Sequence, residues 1–509
     1  MRRIYWPLSC LLLLFPVLCL AASGRELRIG LSADVSSMDP HFAALASNVN
    51  ISSHVFDTLT QVDADAKLIP WLAESWRTID DTTWEFKLRR GVRFHDGSEL
   101  TAEDVVFSLE RPMTFNNRPS GFQSYVKSIV AKEIVDSHTL RLKTATPYAL
   151  LPYELVSVFI VSRRAAEKAQ AVDFDNGRAM VGSGPFRFAR FLRGDRVELA
   201  RNDQYWGPAP HWEHVSFRIV TSDPARIAGL LAGDFDVIDN VPPSDVARIG
   251  KDTRFALERK TSWRTIFYTM DQRGPPFENP THDRRVRLAL SKAIDRRVIA
   301  EKVMEGQAVP TANVVSPSVF GHVSTLAAEA YDPEGARKLL AEAGYAQGFA
   351  LTVHAPNNRY VNDEQVAQAV AQMLSRVGVR TRVETLPLNI YFSKARAQEF
   401  PFAMLGWGSF SGNLALRSLL MTNDPSRGRG AWNWGRYSNP RFDELVAQSL
   451  QTLDASEREK LVHDAMRQTH ADTAILPLYH QIAVWALRKD LAYTARTDEF
   501  TFAFDVRPR

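Results

Sequence analysis

Cysteine is nearly absent from this sequence. The 509-residue chain has two, Cys10 and Cys19, and both precede Ala21. Everything downstream therefore has no thiol, no disulfide and no thiolate for a metal, which excludes a cysteine nucleophile and a Cys-ligated zinc. One-sided charge is scarce too. The formal net charge is +4, two of those charges are Arg2 and Arg3, and no basic block or acidic tail follows. No nucleic-acid partner is expected on that distribution. A second apolar run of membrane-spanning length, an internal repeat and a low-complexity tract are all missing. So are the hydrolase motifs Gly-x-Ser-x-Gly and His-Glu-x-x-His.

The one long apolar run is at the N-terminus. Arg2-Arg3 precede Leu11-Leu12-Leu13-Leu14-Phe15-Pro16-Val17-Leu18, and the small residues Ala21-Ala22-Ser23-Gly24 follow. A charged start, a short apolar stretch and a small-residue zone read as a secretory signal peptide, cut between Ala21 and Gly24. An uncleaved anchor would call for a longer apolar run. Lipidation would call for a small residue before the cysteine, where Leu18 stands before Cys19.

Length favours more than one domain, because single cores stop growing at roughly 250–300 residues. Hydrophobic content of 45% and charged content of 24% are those of a globular protein. Extended and helical patterns alternate, which predicts mixed α/β architecture. His214–Val220 alternates as a strand. Asp223-Pro224 then starts a helix that Gly233 ends, and Asp236-Val237-Ile238 is the next strand. Phe349–Val353, Asp363–Val377 and Val379–Thr385 repeat the scheme. Each strand–helix–strand unit predicts a parallel strand pair. Val286–Val303 reads as one helix ending at Gly306, and Asp332-Pro333 opens another that ends at Gly344.

The most specific stretch runs Pro70-Trp71-Leu72-Ala73-Glu74-Ser75-Trp76, then Trp84–Gly97, then Leu100–Leu109. Its physics is a strand pair, an Asp96-Gly97 turn, and a helix capped by Thr101 with Asp104. This run resembles the signature of the extracellular solute-binding proteins of family 5, the dipeptide, oligopeptide, nickel and opine binders. Collinear landmarks extend the resemblance over the chain: Met38-Asp39-Pro40, Gly182-Ser183-Gly184-Pro185-Phe186, Asn202 with Tyr205-Trp206, Ala232–Val237, Val286-Arg287 with Ala293-Ile294-Asp295, and Gly406-Trp407.

The resemblance implies an α/β, two-lobed periplasmic-binding-protein fold with a hinge and an extra subdomain in the first lobe. On that scheme the signal peptide is 1–23. Lobe I comprises 24–57 and 182–262, with the subdomain at 58–181 inserted. Lobe II is 263–480, and 481–509 return to lobe I. The expected activity is binding without catalysis. The chain would act as the periplasmic component of an ABC importer, capturing a peptide, a peptide-like molecule or an amino-acid conjugate such as an opine by hinge closure. No cofactor is expected. The expected partners are the small-molecule ligand and the membrane permease, and a monomer is expected. The alternatives are a periplasmic peptide hydrolase, a nickel-complex binder and a ligand-dependent sensor partner.

Site residues follow from the same resemblance. Peptide-binding members carry an Asp just after Gly-Trp that pairs with the ligand's α-ammonium. Here Gly406-Trp407-Gly408-Ser409-Phe410-Ser411-Gly412-Asn413 continues to Arg417 without an acidic residue. Gly408, Ser409 and Asn413 are candidates for hydrogen bonding and Arg417 for an anion, unless the loop serves only to turn the chain. Arg359 and Tyr360 follow a strand end, near where dipeptide-binding relatives carry an Arg that grips the ligand carboxylate. An Arg359–Asp363 pair is the alternative. Trp263, Trp407, Trp432 and Trp434 are candidate cleft aromatics. His41 and Phe42 lie in the turn after the first strand, where relatives touch ligand. His211 and His214 are three apart, which on a strand sends them to opposite faces, a poor start for a metal site.

Overall fold

The computed structural model describes residues 25–114 and 122–509. The signal-peptide reading of 1–23 lies outside the described residues, as do both cysteines.

Eleven strands form one large sheet. In chain order they are β1 (Glu26–Leu31), β2 (Phe186–Leu192), β3 (Arg196–Arg201), β4 (His214–Ile219), β5 (Val237–Ile238), β6 (Phe255–Met270), β7 (Ala308–Pro310), β8 (Ala350–Pro356), β9 (Arg380–Leu386), β10 (Phe402–Trp407) and β11 (Ile475–Arg488). Their spatial order is β9-β8-β10-β6-β11-β5-β1-β4-β3-β2, with β7 paired to β11 off this path. The two long strands, β6 and β11, are antiparallel and run through both halves. Phe255–Thr261 pairs with Arg488–Ile482, the register breaks between Thr261 and Thr265, and Thr265–Thr269 then pairs with His480–Ile475. Before the break β11 meets β5 and the β1–β4 half. After it, β6 meets β10 and the β8–β9 half.

The unit β8–helix–β9 forms the parallel pair that its pattern predicts. The unit β4–helix–β5 does not pair with itself. β1 lies between them, parallel to both. Leu27, Ile29 and Leu31 are almost fully buried, so the apolar first strand takes the sheet interior. The helix Asp223–Ala232 is long enough to cross over it. That helix ends at Gly233 in the left-handed region, φ +83°. The single helix expected over Val286–Val303 is instead broken. Arg284–Lys292 stops, Asp295 Oδ1 accepts from Val298 N at 3.0 Å, and a new turn begins. Asp favours such a cap over a helix interior, and Arg296 pins the corner by donating to Ser291 O and Pro477 O.

Residues beyond α-helical Ala46–Val55 build a separate four-stranded antiparallel sheet, ordered Ala73–Asp80, Thr83–Leu88, Thr139–Thr144, Ile129–Asp136. Phe86, Leu88, Val92, Phe94, Leu140 and Leu142 are in its core. The helix Ala102–Glu110 carries the expected capping box, with Thr101 N donating to Asp104 Oδ2 at 3.0 Å. In the Asp96-Gly97 turn, Gly97 has φ +87° and Asp96 accepts from Ser98 N.

One buried carboxylate joins this sheet to the large one. Asp57 Oδ1 accepts from Trp71 Nε1 at 2.7 Å, and Oδ2 accepts from Ser183 Oγ at 2.8 Å and Trp206 Nε1 at 3.0 Å. Burial pushes its pKa up, against the pull of those three donors. Asp57→Ala leaves two indole N–H groups and a hydroxyl unpaired. We predict a loss of about 3–5 kcal/mol in urea unfolding, with the transition of the four-stranded sheet most affected.

His54 is buried with Nδ1 donating to Asn50 O at 2.8 Å and Nε2 accepting from Ala503 N at 2.9 Å. Acceptance at Nε2 requires the neutral ring, and burial lowers its pKa to about 4 from 6.5. The unfolded chain therefore takes up this proton first. Stability held by neutral His54 is present above pH 6.5 and is lost as pH falls toward 4. The loss is roughly 3 kcal/mol. Wild type and His54→Gln should thus differ less in unfolding free energy at pH 4 than at pH 7.

Candidate functional site

The two half-sheets meet where the β6–β11 register breaks, and Ser262–Arg264 leave the ladder there. Trp263 N donates to Thr497 O at 2.9 Å, so the bulge is held by the C-terminal return of the chain. The Trp263 indole lies against Gly408. A Cβ at Gly408 would come within 2.5 Å of Trp263 Nε1, so only glycine permits this approach. Phe410 and Phe500 flank the same indole, with ring centroids at 4.6 and 6.1 Å. Trp407, at the end of β10, continues the wall to Trp432 at 5.2 Å, and Trp432 meets Trp434 at 5.5 Å. Arg396 lies over the Trp432 ring, 5.4 Å from its centroid.

Arg359 borders this wall just beyond β8. Asp363 does not pair with its guanidinium. Asp363 Oδ2 accepts instead from the backbone N–H of Arg359 (2.9 Å) and Tyr360 (3.0 Å), which fixes the loop at the start of the helix Asp363–Ser375. The Arg359 side chain makes no ion pair among the described residues. The side chain is exposed and lies over the Tyr360 ring, 5.4 Å from its centroid, and desolvation on its protein-facing side, with Arg264 nearby, lowers its pKa. Tyr360 is buried beneath it and donates to Gly406 O at 3.3 Å. Arg264 is bonded through Nε to both Glu499 oxygens at 3.1 and 3.0 Å. Glu499 sits at φ +67°, a backbone region that side chains other than glycine seldom occupy.

The remaining sequence candidates are placed differently. Ser409 is buried, with its hydroxyl donating to Ser411 O at 2.8 Å. Asn413 is fully buried and donates to Ser449 Oγ at 2.7 Å. Neither is presented to a ligand. His41 is buried too, with Nε2 on Phe159 O at 2.9 Å and Nδ1 beside Arg111 at 3.2 Å, and Phe42 is half-buried next to it. Arg417 is engaged across the lobes. It forms an ion pair with Glu154 of the small subdomain at 3.0 Å and is bonded to Tyr148 Oη, whose proton goes to Glu154 at 2.7 Å. Glu154 is fully buried, and burial raises its pKa against the pull of Arg417. Beside this pair Ala149 N donates to Leu450 O at 2.9 Å, and Leu150 packs into the core of the β8–β10 half. His211 and His214 gain no third ligand: among the described residues no group of three potential metal ligands occurs.

Sequence reasoning missed Arg264, Glu499, Tyr148, Glu154, Phe410 and Phe500. Arg264 neighbours a named Trp, which was a usable signal. Phe410 likewise follows the named Ser409, and the other four come from segments remote in sequence that only the fold unites.

Two α/β halves joined by a pair of long strands, with Trp263, Phe410 and Phe500 clustered at the crossing, form a two-lobed architecture. The description of bacterial extracellular solute-binding proteins, family 5 (middle), matches residues 67–422, and the chain belongs to that family. The glutathione-binding protein GsiB of Salmonella choleraesuis is 27% identical over 498 residues, covering 95% of this chain and 94% of that protein. Heme-binding protein A of Haemophilus influenzae is 28% identical over 463 residues, covering 85% and 82%. In fold, the periplasmic binding protein DppA of Helicobacter pylori, solved with the peptide STSA, superposes with a TM-score of 0.81. It is 24% identical, with 95% of this chain and 98% of that one covered. No helix among the described residues is long and apolar enough to cross a membrane.

The Arg417–Glu154 pair gives a direct test of interlobe contact. Arg417→Met strands a buried carboxylate and should cost about 3–5 kcal/mol of stability or drive the lobes apart. The double variant Arg417→Met/Glu154→Met should recover most of that loss. Thermal unfolding of the two variants, read with small-angle scattering, separates the outcomes.

Proposed function

We propose that this chain is the exported, monomeric capture component of an ABC importer. It binds a peptide or peptide-like ligand in the cleft between its lobes, closes on it by bending at Ser262–Arg264 and Gln481, and catalyses no reaction. The observation that carries this reading is Arg359: a guanidinium without an ion pair at a strand end, beside an aromatic wall. A ligand carboxylate meets a bidentate fork there, and its apolar parts meet Trp263, Trp407 and Trp432. The relatives' named ligands, glutathione, heme and a short peptide, all carry carboxylates. The signature pair His95 and Asp96 offers no acid–base couple in support of hydrolysis. His95 Nε2 is on Gly184 O and Asp96 is held by Ser98. An export signal at 1–23 and docking on a permease complete the proposed role.

A thermal-shift panel of dipeptides, longer peptides, glutathione, opines and nickel with small chelators tests it. A true ligand at one hundred times its dissociation constant stabilises by about 2.7 kcal/mol. Arg359→Ala and Trp407→Ala should each weaken binding about tenfold or more and leave the ligand-free melting temperature nearly unchanged. Ligand should also reduce the radius of gyration. Peptide cleavage during incubation, or a large loss of ligand-free stability in either variant, overturns the reading.

A further inference from the structure

Three buried polar atoms left without partners near the crossing are donors, while Gln307 Oε1, Ser316 Oγ and His480 Nε2 close to the same crossing are unpartnered too. Trp263 Nε1, Trp407 Nε1 and Arg417 Nε are buried and bonded to nothing. They belong to one continuous surface. Gly408 joins the Trp263 indole to Trp407, Trp407 meets Trp432 edge to face, and Trp432 N donates to Ser418 O, next to Arg417. An indole N–H and a guanidinium N–H only donate. An unpaired buried donor costs free energy, and a ligand acceptor that reaches it removes the penalty.

Charge points the same way. Arg359 and Arg396 make no ion pair among the described residues, whereas the carboxylates around the cleft are engaged. Glu499 is held by Arg264, and Glu154 by Arg417 and Tyr148. Asp363 accepts from three backbone N–H groups. Asp65 is on Lys260, and Asp498 is on Arg496. No acidic residue lies between Gly406 and Arg417. A ligand ammonium would therefore be desolvated with no carboxylate to receive it, which is costly. An amide carbonyl in the same place would meet an indole N–H.

We propose that the cleft selects a ligand with a free carboxylate and an uncharged, acylated nitrogen: an N-acylated amino acid or short peptide. The carboxylate pairs with Arg359, and the acyl and peptide carbonyls accept from Trp263 and Trp407. This rests on the reading above that the cleft binds a peptide-like ligand, and it names that ligand's class.

The test is calorimetric titration of the full mature protein with Ala-Phe, Gly-Leu and Ala-Glu, each in four forms: unmodified, N-acetylated, C-amidated, and both. The N-acetylated acids should bind about tenfold or more tightly than the unmodified dipeptides. Amidation should weaken binding about tenfold or more, and Arg359→Gln should abolish that penalty. Equal affinity of acetylated and free-amine forms, or preference for the free amine, overturns this proposal and leaves peptide-like capture standing. If none of the twelve compounds binds or moves the melting temperature, peptide-like capture fails and this proposal fails with it.

Discussion

The Asp57 carboxylate is the constraint on which the first half of the molecule depends. It is buried, and its three donors come from Trp71, Ser183 and Trp206, in three segments far apart in sequence. A charged or polar group at that depth persists only if its hydrogen bonds are complete. Each donor thereby fixes where its own segment runs. Trp71 fixes the entry to the four-stranded sheet, Ser183 the return to the large sheet, and Trp206 the loop between β3 and β4. The glycines on either side of Ser183 belong to the same arrangement. A Cβ on Gly182 would come within 1.8 Å of Val55 O, so the chain passes against the end of the first helix only without side chains. The landmarks Pro70-Trp71, Gly-Ser-Gly and Tyr-Trp are therefore one structural device, and they need no catalytic explanation.

A different economy governs the junction between halves. Among the described residues β6 and β11 run through both half-sheets, their mutual ladder lapses between Thr261 and Thr265, and β7 pairs with β11 at Tyr479–Gln481 beside that lapse. A two-strand connection with a break in register bends more cheaply than the sheets on either side, each of which has a buried apolar face behind it. Among the described residues, further contacts between the halves include Arg264–Glu499, Arg417–Glu154 and the backbone bonds Trp263–Thr497 and Ala149–Leu450. Beside these bonds Leu150 and Ala66 pack into the core of the β8–β10 half, so apolar contact also joins the two halves.

Periodicity made the individual elements legible and left their arrangement partly hidden. The strand from His214, the helix to Gly233 and the Thr101 capping box all follow from local chemistry. The position of β1 between β4 and β5 does not, because nothing within β4–helix–β5 records that a strand from the N-terminus will displace a neighbour. The break at Asp295 was readable in principle, since an Asp inside an apolar helical pattern is a cap in waiting. At the site, Trp263, Trp407 and Arg359 stood out as large or charged residues in loops with no periodic role. Ser409 and Asn413 looked alike to them in sequence, yet both are turned inward. Short polar side chains bond their own turns as readily as a ligand, and sequence does not distinguish the two uses.

Arg417 shows how a change in one loop alters a site's chemistry without changing its fold. With no acid after Gly406-Trp407, the cation there takes its counter-charge from Glu154 in the opposite lobe. That pairing does two things at once. It gives the two lobes a buried bond, and it engages the carboxylate that lies beside Arg417 and Tyr148. A guanidinium that recruits its own carboxylate leaves the cleft neutral at one end, while Arg359 keeps it positive at the other. On the proposed reading, affinity under those two conditions follows the ligand's carboxylate and its hydrogen-bond acceptors, and a positively charged amine finds no free carboxylate there.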